Sequence, residues 1–301
     1  MNLASNTPLR VTVVGAGQMG QGIAQVCAVA GHCVNLVDTN VELATRGKMA
    51  IADRLERLVA RSRLTHERSH AALASLATPP LTEAAQNADF VIEAVIEDPR
   101  VKFELFAELD ELAPGHALLC SNTSSISLTK IAAATKRPEQ VVGVHFMNPV
   151  PLMPLVELVR GVQTSAATLD AADAFARGLG KTTVVSKDLP GFIVNRLLVP
   201  LLNEACFALQ DGVASVDAID QAIHLGLNHP MGPLRLADLI GLDTVLAIAE
   251  VLHRELGDDK YRPAPLLRNL VAARHLGNKT RLGFYDYRTD PGKPTINPAL
   301  L

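Results

Sequence analysis

Gly15-Ala16-Gly17-Gln18-Met19-Gly20 carries the glycine spacing that phosphate recognition uses. The first glycine permits a tight turn, the second lets backbone approach a pyrophosphate, and the third lets a helix close on a strand. The run leaves an apolar, β-branched stretch over residues 11–14 and enters a helical pattern over residues 20–30. Free N–H groups at the positive end of that helix would then face an anion. A glycine fingerprint alone is a weak signal, and its plain alternative is a turn in a non-binding α/β domain. Here Asp38 closes the next apolar run. A carboxylate at that point accepts hydrogen bonds from ribose hydroxyls and repels a 2′-phosphate, so the pairing predicts NAD rather than NADP.

A second constellation is His145, at the end of an apolar run, with Glu157 in the strand-like stretch 155–159. Ligands of doubly wound sheets gather at the carboxyl ends of strands, and a carboxylate between Val156 and Leu158 needs a partner. A His–Glu pair would fix the imidazole tautomer and stabilise the imidazolium formed when His145 takes a proton. A structural histidine with satisfied hydrogen bonds fits the spacing equally well. Ser124, within Ser121-Asn122-Thr123-Ser124-Ser125, and Asn195 could hold a substrate oxygen; a helix N-cap and a core amide are the simpler readings.

His66-Glu67-Arg68-Ser69-His70 matches HExxH, which sets two imidazoles on one helical face around zinc. Its surroundings are charged and small, with Arg61, Arg63 and Arg68 nearby, and no third ligand motif follows. The sequence therefore predicts no metal site, with two solvated histidines there instead.

The elements that must position these groups form a Rossmann-type α/β fold. Apolar β-branched runs at 11–14, 34–37, 90–94, 117–120, 141–145 and 182–186 alternate with helical patterns such as 20–30 and 101–112. That alternation predicts a doubly wound, mostly parallel sheet over residues 1–188. An Ala/Leu/Arg-rich stretch at about 41–77 interrupts it and reads as an inserted helical hairpin, with a turn near 62–65 and Thr65 capping its second helix. Residues 189–301 show helical spacing over 192–209, 216–225 and 233–256 without a convincing strand, predicting a smaller all-α domain.

Composition narrows the classes. The chain has 301 residues, 48% of them hydrophobic, enough for about two domains. Lys plus Arg number 28 against 31 Asp plus Glu, and there is no Trp, so neither phosphate neutralisation nor base stacking supports a nucleic-acid partner. No apolar run approaches the roughly 18 residues of a membrane span. The four cysteines, Cys27, Cys33, Cys120 and Cys206, form no CxxC pair; reduced thiols and the absence of a signal-peptide pattern predict a cytoplasmic protein.

The segments VTVVGAGQMGQGIAQVCAVAGH, VIEAVIED, SNTSSIS, GVHFMNPVPLMPLVELVRG, PGFIVNRLL, LGLNHPMGPLRLADLIGLDT and KTRLGFYDY follow one another in this order. Together they resemble the 3-hydroxyacyl-CoA dehydrogenase family, specifically its short bacterial 3-hydroxybutyryl-CoA dehydrogenase branch, over nearly the whole chain. The resemblance implies that His145 is the general acid/base, Glu157 its orienting partner, and Ser124 and Asn195 the hydrogen-bond partners of the reacting oxygen. It implies NAD contacts from Gly15, Gly17, Gln18, Met19, Gly20 and Asp38, and contacts toward the nicotinamide end from Glu97, Lys102, Asn148 and Lys279. It implies that the hairpin helps hold coenzyme A, with Arg54 and Arg61 aligned to its polar contacts, and that the chain forms a homodimer whose helical domain completes the substrate cleft. Two departures stand out. The family's tail usually reads KTGxGFY, whereas Arg281 and Leu282 follow Thr280 here, and Arg54 replaces a small hydroxyl.

The implied activity is reversible, NAD-dependent oxidation of a short (S)-3-hydroxyacyl-CoA. A dehydrogenase of another 3-hydroxy acid or of a dicarboxylic acyl-CoA is the nearest alternative. An HExxH zinc peptidase and a silent NAD-binding structural protein are more distant ones.

Overall fold

Runs of Val, Ile and Leu that are buried on both faces build the sheet, because a mostly parallel sheet is covered by helices on each side. In the computed structural model, which describes residues 8–300, the chain divides into two compact units, one ending at Phe192 and the other beginning at Ile193.

The first unit runs β1 (Arg10–Val14), α1 (Gln18–Val29), β2 (Cys33–Val37), α2 (Val41–Ala60), α3 (His66–Ala74), β3 (Leu76–Ala77), α4 (Leu81–Ala85), β4 (Phe90–Glu93), α5 (Pro99–Leu112), β5 (Leu118–Ser121), α6 (Leu128–Ala132), β6 (Val141–Phe146), β7 (Leu155–Arg160), α7 (Ala166–Gly178) and β8 (Thr182–Lys187). Its eight strands lie in the order β3-β2-β1-β4-β5-β6-β7-β8. All neighbours are parallel except β6 and β7, which pair antiparallel. The strand order reverses between β1 and β4, so their carboxyl ends open a crevice. Cores on the two faces are filled from the same strands: Val11, Val13, Phe90 and Ile92 pack with Ile23 and Phe175 on one face, and Val14, Val91 and Leu119 with Phe106 and Leu109 on the other.

The hairpin α2–α3 sits where the Ala/Leu/Arg-rich stretch placed it. Asn40 caps α2 by accepting from the Leu43 N–H, and Thr65 caps α3 by accepting from Arg68 N–H. Its inner face buries Ile51, Leu55 and Ala72 in the core shared with the sheet, and Ala44 is buried as well. The strand β3 escaped the sequence reading because two residues carry no periodicity; it forms by pairing with β2.

The second unit holds α8 (Val194–Gln210), α9 (Val216–Gly226), α10 (Pro233–Ile240), α11 (Leu242–Leu256), α12 (Pro265–Ala272), β9 (Tyr285–Asp286) and β10 (Thr295–Ile296). Two expectations change here. The helical run 233–256 is two helices, broken at Gly241, whose φ of 101° no helix accommodates. The unit is also not purely helical, since β9 and β10 form a small antiparallel ribbon. Among the described residues no helix is long and apolar enough to cross a membrane.

Candidate active site

The glycine turn between β1 and α1 lies at the sheet's reversal. Gly15 has φ of 106°, and a Cβ there would stand 2.5 Å from the Ala94 carbonyl oxygen. Gly20 is required by proximity rather than by dihedral: its Cβ would lie 1.7 Å from the Gly15 oxygen. Gly17 is the N-cap of α1, which has neither a side-chain cap nor an acidic residue in its first turn, leaving those N–H groups for an anion. Asp38, just past β2, accepts from the Ala16 N–H at 2.7 Å through one carboxylate oxygen and from the Thr39 N–H at 2.7 Å through the other. The Gln18 side-chain amide donates to Asn148 Oδ1 at 3.1 Å, joining the turn to the loop after β6. A cavity of about 940 Å³ opens beside these groups, walled by Gly15, Met19, Asp38, Val41, Ile96 and Val101 among others. Its size, its largely apolar walls and the single carboxylate at the β2 end fit a dinucleotide.

At the carboxyl ends of β4 and β5 lies an ionic cluster, buried at Glu93 and Lys102 and partly open to solvent at Glu97. Lys102, 1% exposed, reaches Glu93 on β4 in a close contact and Glu97 at 3.2 Å. The other Glu93 oxygen accepts from the Ser121 hydroxyl at 2.6 Å. Glu97 gathers the loop after β5: one of its oxygens accepts from the hydroxyls of Thr123, Ser124 and Ser125 and from the N–H groups of Ser124 and Ser125. Burial pushes the Glu97 carboxyl up, but Lys102 and these donors outweigh it and hold the carboxyl below its ordinary range. Glu97, Lys102 and Ser124, separate in sequence, thus form one cluster.

His145 and Glu157 meet across β6 and β7. They are direct register partners, His145 is 7% exposed and Glu157 0%, and Nδ1 lies 2.8 Å from Oε2. The Phe192 ring packs edge-on against the imidazole at 5.6 Å between centroids. A carboxylate only accepts, so Nδ1 carries the proton and Nε2 is left as the basic nitrogen. Nearby, Asn122 Oδ1 accepts from the Phe146 N–H at 2.9 Å, tying the serine-rich loop to the strand that bears His145.

On the hairpin, Arg61 is exposed at the end of α2. Arg54 faces inward: its Nε donates to Gln25 Oε1 and one Nη to Gln21 Oε1, both at 3.0 Å. His66, Glu67 and His70 are exposed on α3, and among the described residues no group of three or more His, Cys, Asp or Glu is arranged to hold a metal.

In the second unit, Asn195 lies half-buried in the first turn of α8. The Lys279 ammonium donates to Asp243 at 2.8 Å and to the Thr244 hydroxyl at 2.9 Å, at the start of α11. Arg281 adopts φ of 59°, a left-handed conformation that glycine enters at less cost than a residue with a Cβ.

Glu93, Thr123, Ser125 and Gln21 were missed as site residues. Glu93 had a readable signal, a charge inside the apolar run 90–94, since a buried carboxylate must be paired. The other three are ordinary polar residues whose partners lie far off in sequence.

Residues 10–189 match the model for the 3-hydroxyacyl-CoA dehydrogenase NAD-binding domain, and residues 191–287 match the model for that enzyme's C-terminal domain. A 3-hydroxybutyryl-CoA dehydrogenase of Bradyrhizobium diazoefficiens is 50% identical over 286 residues, covering 95% of this chain and 98% of that one. A probable 3-hydroxybutyryl-CoA dehydrogenase of Bacillus subtilis is 49% identical over 278 residues, covering 92% and 97%. The crystal structure of (S)-3-hydroxybutyryl-CoA dehydrogenase from Ralstonia eutropha matches with a TM-score of 0.90 at 46% identity, covering 93% of this chain and 100% of the other. With both units matched and such identity over most of its length, the chain belongs to the 3-hydroxyacyl-CoA dehydrogenase family, NAD-dependent oxidoreductases whose NAD-binding domain is its first unit.

Proposed function

We propose that the chain catalyses reversible oxidation of a short (S)-3-hydroxyacyl-CoA, such as (S)-3-hydroxybutyryl-CoA, to the 3-ketoacyl-CoA. The observation that carries this reading is the buried His145–Glu157 pair, set in the same unit as the glycine turn and the Asp38 carboxylate. Gly15, Gly17, Gln18, Met19, Gly20 and Asp38 hold the phosphate and adenosine-ribose side of NAD, and Glu97, Lys102, Asn148 and Lys279 serve its nicotinamide side. NAD, when bound, supplies the hydride acceptor. His145 Nε2 takes the proton of the substrate hydroxyl, and the charge that forms on the ring is stabilised through Nδ1–H by Glu157. In the reverse direction the imidazolium returns that proton to the carbonyl oxygen. Ser124 and Asn195 hydrogen-bond the reacting oxygen; positioning of this kind, rather than new covalent chemistry, is what the protein adds.

Coenzyme A lies along the hairpin, where the exposed Arg61 offers a guanidinium to its phosphates. Two copies pair through the second unit, whose exposed Leu197, Leu225 and Leu227 favour a cover, and the enzyme works in the cytoplasm, in keeping with four free cysteines. Light scattering of the purified chain checks the dimer. The reaction is tested by offering acetoacetyl-CoA and free acetoacetate with NADH: turnover with the thioester alone fits the proposal, and equal turnover of both points to a free hydroxy acid as substrate.

A further inference from the structure

The two peptide planes flanking Ala16 in the glycine turn are each fixed by a side chain. The Ala16 N–H donates to Asp38, and the Ala16 carbonyl accepts from the Gln21 side-chain amide at 2.7 Å. The carbonyl of residue 16 and the N–H of residue 17 belong to one planar trans unit and point in opposite directions. Holding the carbonyl toward Gln21 therefore aims the Gly17 N–H away from it, at the mouth of α1 where the pyrophosphate of NAD binds.

Gln21 can do this only if its amide does not rotate, and its other end is held by Arg54. The Arg54 guanidinium donates to Gln21 and Gln25 at once, which holds the fork against α1, while its remaining Nη is buried without a hydrogen-bond partner. A planar guanidinium clasping two acceptors gives directional hold that a single ammonium does not. The route from the hairpin to the phosphate site is thus Arg54, Gln21, the Ala16–Gly17 peptide, all within the first unit. The contact with Gln25 anchors Arg54 but does not reach the turn.

We infer that Arg54 is a positioning residue for the NAD site, acting through Gln21 on the Gly17 N–H, rather than a contact for coenzyme A. The inference rests on the reading of the glycine turn as the NAD site.

The test uses the full chain and NADH fluorescence titrations without acyl-CoA, so that it does not depend on turnover. Arg54→Met and Gln21→Met are each expected to weaken NADH binding about five-fold, a charge-assisted hydrogen bond acting at one remove. The double variant should be no weaker than either single one, because both cut the same route. Gln25→Met, which frees one side of the fork but leaves the Arg54–Gln21 contact, should weaken NADH binding less than either Arg54→Met or Gln21→Met. In steady state, KM for NAD should rise in Arg54→Met and Gln21→Met while KM for the acyl-CoA stays put. Thermal melts separate this from loss of fold; if Arg54→Met does not fold, Gln21→Met carries the same test. Unchanged NADH affinity with a raised acyl-CoA KM in Arg54→Met would overturn the inference, as would an effect of Arg54→Met without one of Gln21→Met. If the unsubstituted chain bound no NADH, the reading of the crevice itself would fall, and the inference with it.

Discussion

His145 and Glu157 stand directly opposite each other on β6 and β7, the one antiparallel pair in the eight-stranded sheet, with Nδ1 and Oε2 2.8 Å apart. Opposed residues on an antiparallel ladder project to the same face. A slip of one residue would send the two groups to opposite faces. The pairing of strands therefore sets the geometry: β7 runs back along β6 so that a carboxylate stands beside the imidazole at the sheet's interior.

Glu157→Gln is accordingly expected to keep the side chain's shape but lose the charge that steadies the imidazolium. We expect kcat to fall about 100-fold, the lower end of what positioned acid–base groups contribute, while NADH affinity changes little. Stopped-flow turnover and an NADH titration on the same preparation check both halves.

Among the described residues, Lys102 is the only cation in contact with Glu93, a carboxylate with no exposure to solvent. Lys102→Met should destabilise the chain by about 3–5 kcal/mol, the penalty of stranding a buried charge. Adding Glu93→Gln should recover part of that loss. Denaturant titration of the single and double variants measures it.

Glu97 gives the fold an acid-sensitive component. Its carboxyl is held below the ordinary value of 4.5 in the folded chain, by Lys102 and its hydrogen-bond donors prevailing over burial. A depressed folded value means that the stabilisation is present above the unfolded carboxyl's titration and is lost as pH falls through the folded one. The stability difference between the unsubstituted chain and Glu97→Gln should therefore be largest above about pH 5 and shrink in more acid solution. Melting curves across that range test it, and a difference that grows in acid would contradict it.

Arg281 occupies a left-handed position that suits glycine. Relief of the Cβ strain should exceed the extra entropy of the unfolded glycine, so Arg281→Gly should stabilise by about 0.5–1 kcal/mol. The hydrogen bond from Arg281 to the Tyr287 carbonyl, 3.2 Å long and part-buried, is lost in the variant and offsets some of that gain. Chemical denaturation gives the answer.

The sequence made the sheet unit largely legible because its strands are short apolar runs with turn residues between them. The glycine turn and Asp38 were legible because each residue type answers a local need. His145 and Glu157 could be named as a pair but not separated from a structural histidine, since antiparallel register is a tertiary fact. The ribbon β9–β10 and the break at Gly241 were hidden for a different reason: two-residue strands have no period, and a lone glycine inside a helical pattern does not disclose its φ. The Glu97 cluster was legible only through resemblance, as five donors converging on one oxygen come from a loop that reads as plain serine and threonine.

The role of His145 as the acid–base group of an NAD-dependent acyl-CoA oxidoreductase is tested by following NADH oxidation with acetoacetyl-CoA in the unsubstituted chain and in His145→Gln. Ready turnover is expected of the first and a loss of about 100-fold or more in kcat of the second, with NADH binding intact. No turnover by the unsubstituted chain, or full turnover by His145→Gln, would contradict it.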